Sequence, residues 1–183
     1  MRLFVGIPLA DIVVRELAAI VSRIRSNTEK VRWTGPESWH ITLQFLGNAT
    51  PEQADCLMAR LAEIRSAPMM VQLGELDYFD RAGVFFVDVI PTPSLIALQE
   101  HVVAVTSTCA FAAETRPFHP HITLARAKDR DRGVQLRELR KQILHRPTLS
   151  SFRACDFLLY ESHLSTEGAR YEIKARFGIT TGS

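Results

Sequence analysis

Two stretches of the 183-residue sequence, SWHITLQFLG at residues 38–47 and HPHITLARAK at residues 119–128, contain the same four letters, HITL. In an extended strand residues i and i+2 share a face, so His40 and Thr42 project together, as do His121 and Thr123. Ile41, Leu43, Ile122 and Leu124 then point the other way, toward a core. Each unit offers an imidazole that carries a proton near neutral pH beside a hydroxyl that binds an oxyanion. Together they supply an acid, a base and two phosphate-binding hydroxyls. Chemistry at a phosphodiester with a vicinal hydroxyl needs this inventory. One imidazole activates the nucleophile, the second, as imidazolium, protonates the leaving alkoxide, and donors hold the non-bridging oxygens. A lone His-x-Thr on a strand reads as a structural histidine beside a β-favouring threonine. Two copies on repeated units read differently: packing explains the Ile and Leu, whereas burying His and Thr without partners is costly. Metal binding is the rival chemistry, since His119 and His121 share a strand face and His40 offers a third nitrogen. Pro120 lies between the first two, no acid falls inside either motif and no cysteine is near, so no metal is expected.

The surrounding elements must bring the two units together. RLFVGI reads as a buried strand, followed by a helix opened by Pro8 with Ile12, Val13, Leu17, Ile20, Val21 and Ile24 on its apolar stripe. Extended segments flank Gly35-Pro36, and a helix follows Thr50, with Pro51 at its first position and Gln53 placed for a capping box. Two strands around Arg81–Gly83, a helix through Leu95, Leu98, Val102 and Val105, and then HPHITLAR continue the chain. AKDRDRG reads as a solvated loop, VQLRELRKQILH as a short basic helix, and SFRACDFLLYESHL with ARYEIKARFGI as a terminal strand pair joined through Ser165–Gly168. The order LFVGIP, helix, HITL in the first half matches FFVDVIP, helix, HITL in the second, with similar separations from Pro8 to His40 and from Pro91 to His121. The sequence thus predicts an α+β fold from an internal duplication: residues 1–183 form one domain of two pseudo-symmetric lobes, antiparallel sheets facing a central groove with helices outside.

Composition sets the outer limits. With 46% hydrophobic residues the chain can bury a core without disulfides or metal. A net charge of +2 gives little support to binding along a nucleic-acid duplex. Cys56, Cys109 and Cys155 stand singly, and their odd number argues against a disulfide framework, so buried, inert thiols are expected. No segment approaches the length and apolarity of a membrane span, and a cytoplasmic protein is the expectation.

The two His-x-Thr units in this order, with RLFVGIP before the first, VRWTGPESWHITLQFLG and FHPHITLAR around them and LYESHLSTEGARYEIKARF closing the chain, resemble the two-histidine (2H) phosphoesterase superfamily. The resemblance is to its bacterial and archaeal RNA 2′,3′-cyclic phosphodiesterases, also called 2′-5′ RNA ligases, and spans almost the whole chain. It implies hydrolysis of terminal 2′,3′-cyclic phosphates to 2′-phosphates, with reversible, ATP-independent 2′-5′ joining in some members. His40 would be the proton donor and His121 the proton acceptor, with Thr42 and Thr123 on the phosphate and no cofactor. The partner would be RNA 3′ ends carrying a cyclic phosphate, tRNA fragments among them, bound by a monomer. Arg126, five positions after His121, would face away in a regular strand; the family also favours Arg here, and a bend would let it reach phosphate. By the same odd spacing Phe45 is assigned to the core, and Gln44 to the His40 face of the groove. Trp33 and Trp39 read as packing residues before base-stacking ones; His119 reads as orienting a neighbour or facing solvent, and His101, His145 and His163 as surface residues. Small cyclic nucleotides or oligoadenylates are alternative substrates, and a non-catalytic module holding RNA ends is the non-enzymatic reading.

Overall fold

Strand β1 (Arg2–Pro8) shows how the sheet acquires two dissimilar faces. Its side chains alternate, so Leu3, Val5 and Ile7 enter the main core while Phe4 joins a second, smaller cluster with Leu158 and Tyr160 on the opposite face. The computed structural model describes residues 1–25, 31–128, 132–143, 147–165 and 168–179. Helix α1 (Asp11–Ile24) follows β1; strand β2 (Val31–Trp33) and a 3₁₀ turn (Pro36–Ser38) then lead into β3 (His40–Asn48), which carries the first HITL. Helix α2 (Pro51–Leu61), strands β4 (Met69–Val71), β5 (Leu73–Phe79) and β6 (Val84–Val89), and helix α3 (Pro93–Ser107) precede β7 (His121–Ala127), which carries the second. Helix α4 (Arg132–Lys141) and strands β8 (Phe152–Ala154), β9 (Asp156–Ser165) and β10 (Gly168–Gly178) complete the chain.

The main sheet runs β10-β9-β1-β3-β7-β6-β5, with β2 also paired to β7, and its neighbours are antiparallel. The two HITL strands are therefore central and adjacent, bridged at Ile41↔Ile122. Each half contributes a strand, a helix and its HITL strand, and this bridge joins the halves in one continuous sheet. Val13, Leu17, Val21 and Ile24 of α1 and Leu95, Leu98 and Val102 of α3 pack in one core with Ile41, Leu43, Ile122 and Leu124. The other sheet face is left for a groove.

Several local expectations shift. Pro8 ends β1, and α1 begins at Asp11 after Ala10; Ile12 is exposed outside the buried stripe. The capping box of α2 is present, with Thr50 accepting from the Gln53 amide (3.2 Å) and the Gln53 side chain accepting from the Thr50 amide (3.1 Å). Gly83 closes the β5–β6 turn with φ of 64°. The segment read as one strand from Ser151 divides, because β8 pairs with β4 in a separate two-stranded sheet. Residues 129–131 of AKDRDRG, His145 and part of the Ser165–Gly168 turn lie outside the described residues, and the last two residues of AKDRDRG already belong to α4.

The cysteine expectation is overturned. Cys56 on α2 and Cys109 just beyond α3 form a disulfide, with Cα atoms 5.8 Å apart, and Cys155 is a free, exposed thiol. A count of isolated cysteines carries no information about two helices that pack side by side. The link closes a separation of 53 residues, so Cys56→Ser should lower stability by about 4 kcal/mol through unfolded-chain entropy. Calorimetry should register a fall of roughly 10 °C in Tm, reproduced in the native chain by a reductant.

Candidate active site

The site is shaped by a pair of matched strand irregularities. Gly6 pairs with Thr42 but Val5 with Gln44, leaving Leu43 as an extra residue in β3; Phe86 pairs with Thr123 but Phe85 with Ala125, leaving Leu124 extra in β7. A bulge of this kind reverses the faces of the residues that follow it. Gln44 and Ala125 accordingly turn into the core, and Phe45 and Arg126 turn out into the groove. This corrects two expectations. Gln44 is buried and its Oε1 accepts from Thr106 Oγ1 (2.7 Å), and Phe45 is 59% exposed at the cavity wall. The same bulge supplies the bend that brings Arg126 to the His121 side. Thr34 pins it, with its amide donating to the Leu124 carbonyl (2.9 Å) and its hydroxyl set against the carbonyls of Thr123 (2.9 Å) and Leu124 (2.8 Å).

Both imidazoles are held alike. His40 Nδ1 lies 2.8 Å from the Ser38 carbonyl, and His121 Nδ1 lies 2.8 Å from the His119 carbonyl. A carbonyl only accepts, so Nδ1 carries the proton in each neutral ring and Nε2 is the nitrogen left for chemistry. In His40 that nitrogen is 3.1 Å from Thr42 Oγ1, which can donate to it. Phe4, Tyr160 and Tyr171 surround the His40 ring at centroid distances of 4.6, 5.6 and 5.1 Å, while Phe79 and Phe86 flank His121 at 5.1 and 5.3 Å. Gly6 makes room on the first side: a Cβ there would stand 2.9 Å from the Ile41 carbonyl and 3.3 Å from His40 Cδ2.

These walls set the electrostatics. Burial pushes His40 down to about 4, against the Ser38 carbonyl, and the charges of His121 and Arg126 push the same way. His121 is also lowered, again chiefly by burial, while the His119 carbonyl and Asp88 oppose the shift. Arg126 is lowered by burial and by the neighbouring charge of Arg32. Burial raises the Tyr171 phenol, which therefore stays a neutral donor.

His40, Thr42, His121, Thr123 and Arg126 all line one cavity of about 410 Å³, with Arg2, Arg32, Phe45 and Tyr171 also in its wall and no carboxylate among the described lining residues. An anion fits such a wall. His119 is turned away to the Asp88 carboxylate (2.9 Å), and only its carbonyl serves His121. Among the described residues, the group whose ligand atoms come together closely enough for a metal is Glu161, His163 and Glu172 on the outer hairpin, bridged by Lys174. Trp39 is buried, donating to Thr34 Oγ1 (3.0 Å), and Trp33 packs edge-on to Phe85; His101 and His163 are exposed.

A family model described as the 2′-5′ RNA ligase superfamily matches residues 13–165. The chain belongs to that superfamily. A Bacillus subtilis (strain 168) protein named RNA 2′,3′-cyclic phosphodiesterase is 29% identical over 185 residues, covering 97% of this chain and 96% of its own length. An Aeropyrum pernix protein of the same name is 29% identical over 170 residues, covering 88% and 96%. Among solved structures, a Thermus thermophilus protein superposes with a TM-score of 0.78 at 25% identity over 100% of both chains. Escherichia coli LigT complexed with 3′-AMP gives 0.81 at 24% identity over 98% of both, a likeness of fold.

In this 2′-5′ RNA ligase superfamily member, sequence periodicity missed the aromatic wall and two cavity arginines, Arg2 and Arg32. Phe4 lies in a strand buried on both faces, where alternation disappears. Arg32 shows a signal only when β2 is paired with β7, because its partner is then Arg126.

Proposed function

We propose that the protein is an RNA 2′,3′-cyclic phosphodiesterase that opens a terminal cyclic phosphate to a 2′-phosphate. The observation that carries this reading is the matched pair of Nδ1-tethered imidazoles in one cavity with the Thr42 and Thr123 hydroxyls and the Arg126 guanidinium, and with no carboxylate among the described lining residues. In the forward step water attacks phosphorus and gives a proton to His121 Nε2. The P–O3′ bond breaks, and His40 protonates the departing 3′-oxygen. Thr42, Thr123 and Arg126 hold the non-bridging oxygens as negative charge grows on them. His40, whose environment disfavours the charged ring, is a strong acid once protonated. Asp88 favours the imidazolium that His121 becomes. A 5′-hydroxyl in place of water would give a 2′-5′ linkage by the same proton transfers, reversibly and without ATP.

Acid, base and anion-binding groups are all side chains, so this reading calls for no metal or other cofactor. The names of the curated relatives support it. A monomeric working form, RNA 3′ ends, tRNA fragments among them, as partners, and the cytoplasm as location complete the proposal. The test is phosphorus NMR of a short RNA ending in 2′,3′-cyclic phosphate, incubated with the protein in excess EDTA. A 2′-phosphate product is expected. A 3′-phosphate would reverse the assigned leaving group, loss of turnover in EDTA would require a metal, and binding without turnover would favour an RNA-end-binding module.

A further inference from the structure

The cavity holds more positive charge than one terminal phosphate requires. Arg32 on β2 and Arg126 on β7 are direct cross-strand partners, and both line the cavity. Like charges directly opposite one another on a sheet destabilise it. Among the described residues neither guanidinium has a carboxylate partner, and the nearby Glu37 has its carboxylate folded over Gly35. Fold stability alone does not account for that pairing. From this point a hollow of about 310 Å³ continues away from the histidines, sharing Arg32, Arg126 and Tyr171 with the cavity and adding Arg170 from β10. Trp33 and Glu37 also form part of its wall, so three guanidiniums face one carboxylate there.

We propose that Arg32 is the centre of a second anion subsite, which takes the phosphodiester on the 5′ side of the terminal nucleoside. The inference rests on the phosphodiesterase reading and deepens it: the preferred substrate is an oligonucleotide end, and a cyclic mononucleotide leaves half of the charged groove unused. A substrate carrying one negative charge is met by Arg126 and an imidazolium. Arg32, about 5 Å from Arg126 at Cα by sheet geometry, meets the next phosphate along the strand. That second anion also relieves the repulsion between the two guanidiniums, so binding and local stability favour the same occupant.

The experiment compares kcat/KM for three substrates: adenosine 2′,3′-cyclic phosphate, the dinucleotide ApA ending in the cyclic phosphate, and that dinucleotide with an uncharged methylphosphonate linkage. The native protein should prefer the charged dinucleotide to the mononucleotide by about tenfold, through KM. The methylphosphonate should lose that preference. Arg32→Gln, at an exposed position, should bring the ratio of charged dinucleotide to mononucleotide close to one, whereas Arg2→Gln should leave the ratio in place. An unchanged ratio in Arg32→Gln, or its collapse in Arg2→Gln alone, overturns the subsite. Zero turnover on all three substrates overturns the phosphodiesterase reading, and equilibrium binding then tests the subsite separately. ApA 2′-phosphate should bind about tenfold more tightly than adenosine 2′-phosphate, with a salt slope smaller by about 0.7 in Arg32→Gln. Equal affinities for the two ligands overturn it.

Discussion

Alanine in place of His121 or His40 should lower kcat on a 2′,3′-cyclic phosphate by about 10²–10⁴-fold, the scale of a lost general base or acid. Each ring presents Nε2 to the cavity because a main-chain carbonyl occupies the Nδ1 proton. Among the described residues no other imidazole lines the cavity to replace either one. The two act in one step, so His40→Ala with His121→Ala should cost far less than the product of the single losses. Steady-state kinetics decides, and full activity in His121→Ala refutes the assignment. The same pair predicts a bell-shaped pH dependence, since one ring must be protonated and the other neutral. In the free protein both affinities for a proton are lowered, His40 to about 4, so the centre of the kcat/KM profile should lie below 6.5. A bound phosphodiester anion favours both imidazolium forms and raises their values. The kcat profile, which reports the complex, should therefore lie at higher pH than the kcat/KM profile. Coincident profiles, or a flat response from acid to alkaline pH, would contradict this account.

Arg126→Ala should reduce kcat/KM by about 10²-fold, as expected for removing one donor aimed at developing phosphoryl charge. Arg126→Lys should recover part of the loss, because it keeps the charge and gives up the two-pronged geometry. A structural role is separable by melting. Arg126 is partly desolvated and faces Arg32, so its removal relieves a repulsion, and Tm should hold or rise while activity falls. A drop in Tm that accounts for the lost activity would return Arg126 to the scaffold.

The histidines and threonines were readable because strand alternation survives from His40 to Leu43 and from His121 to Leu124. It fails one residue later. The bulges at Leu43 and Leu124 leave no local composition signal, and they send Gln44 inward and Phe45 outward against the period of two. Arg126 could be placed on the groove side only by invoking a bend that alternation itself opposed. The strand–helix–strand order of each half was visible in the repeated proline and HITL spacing. The Cys56–Cys109 link depends on α2 lying against α3, a tertiary fact, and Arg32 becomes conspicuous only beside Arg126.

Tethering both rings through backbone oxygens has a consequence for mutational tolerance. The groups that hold the Nδ1 protons belong to residues 38 and 119, but neither side chain takes part in the contact. Substitution of Ser38 or of His119 leaves a carbonyl in the same place as long as the local strand path is kept. Drift at Ser38, which lines the cavity, can therefore alter the groove wall and its substrate preference, and drift at His119 can alter the contact with Asp88, while the tautomers persist. What natural variation cannot change freely is the path of the main chain into each HITL strand.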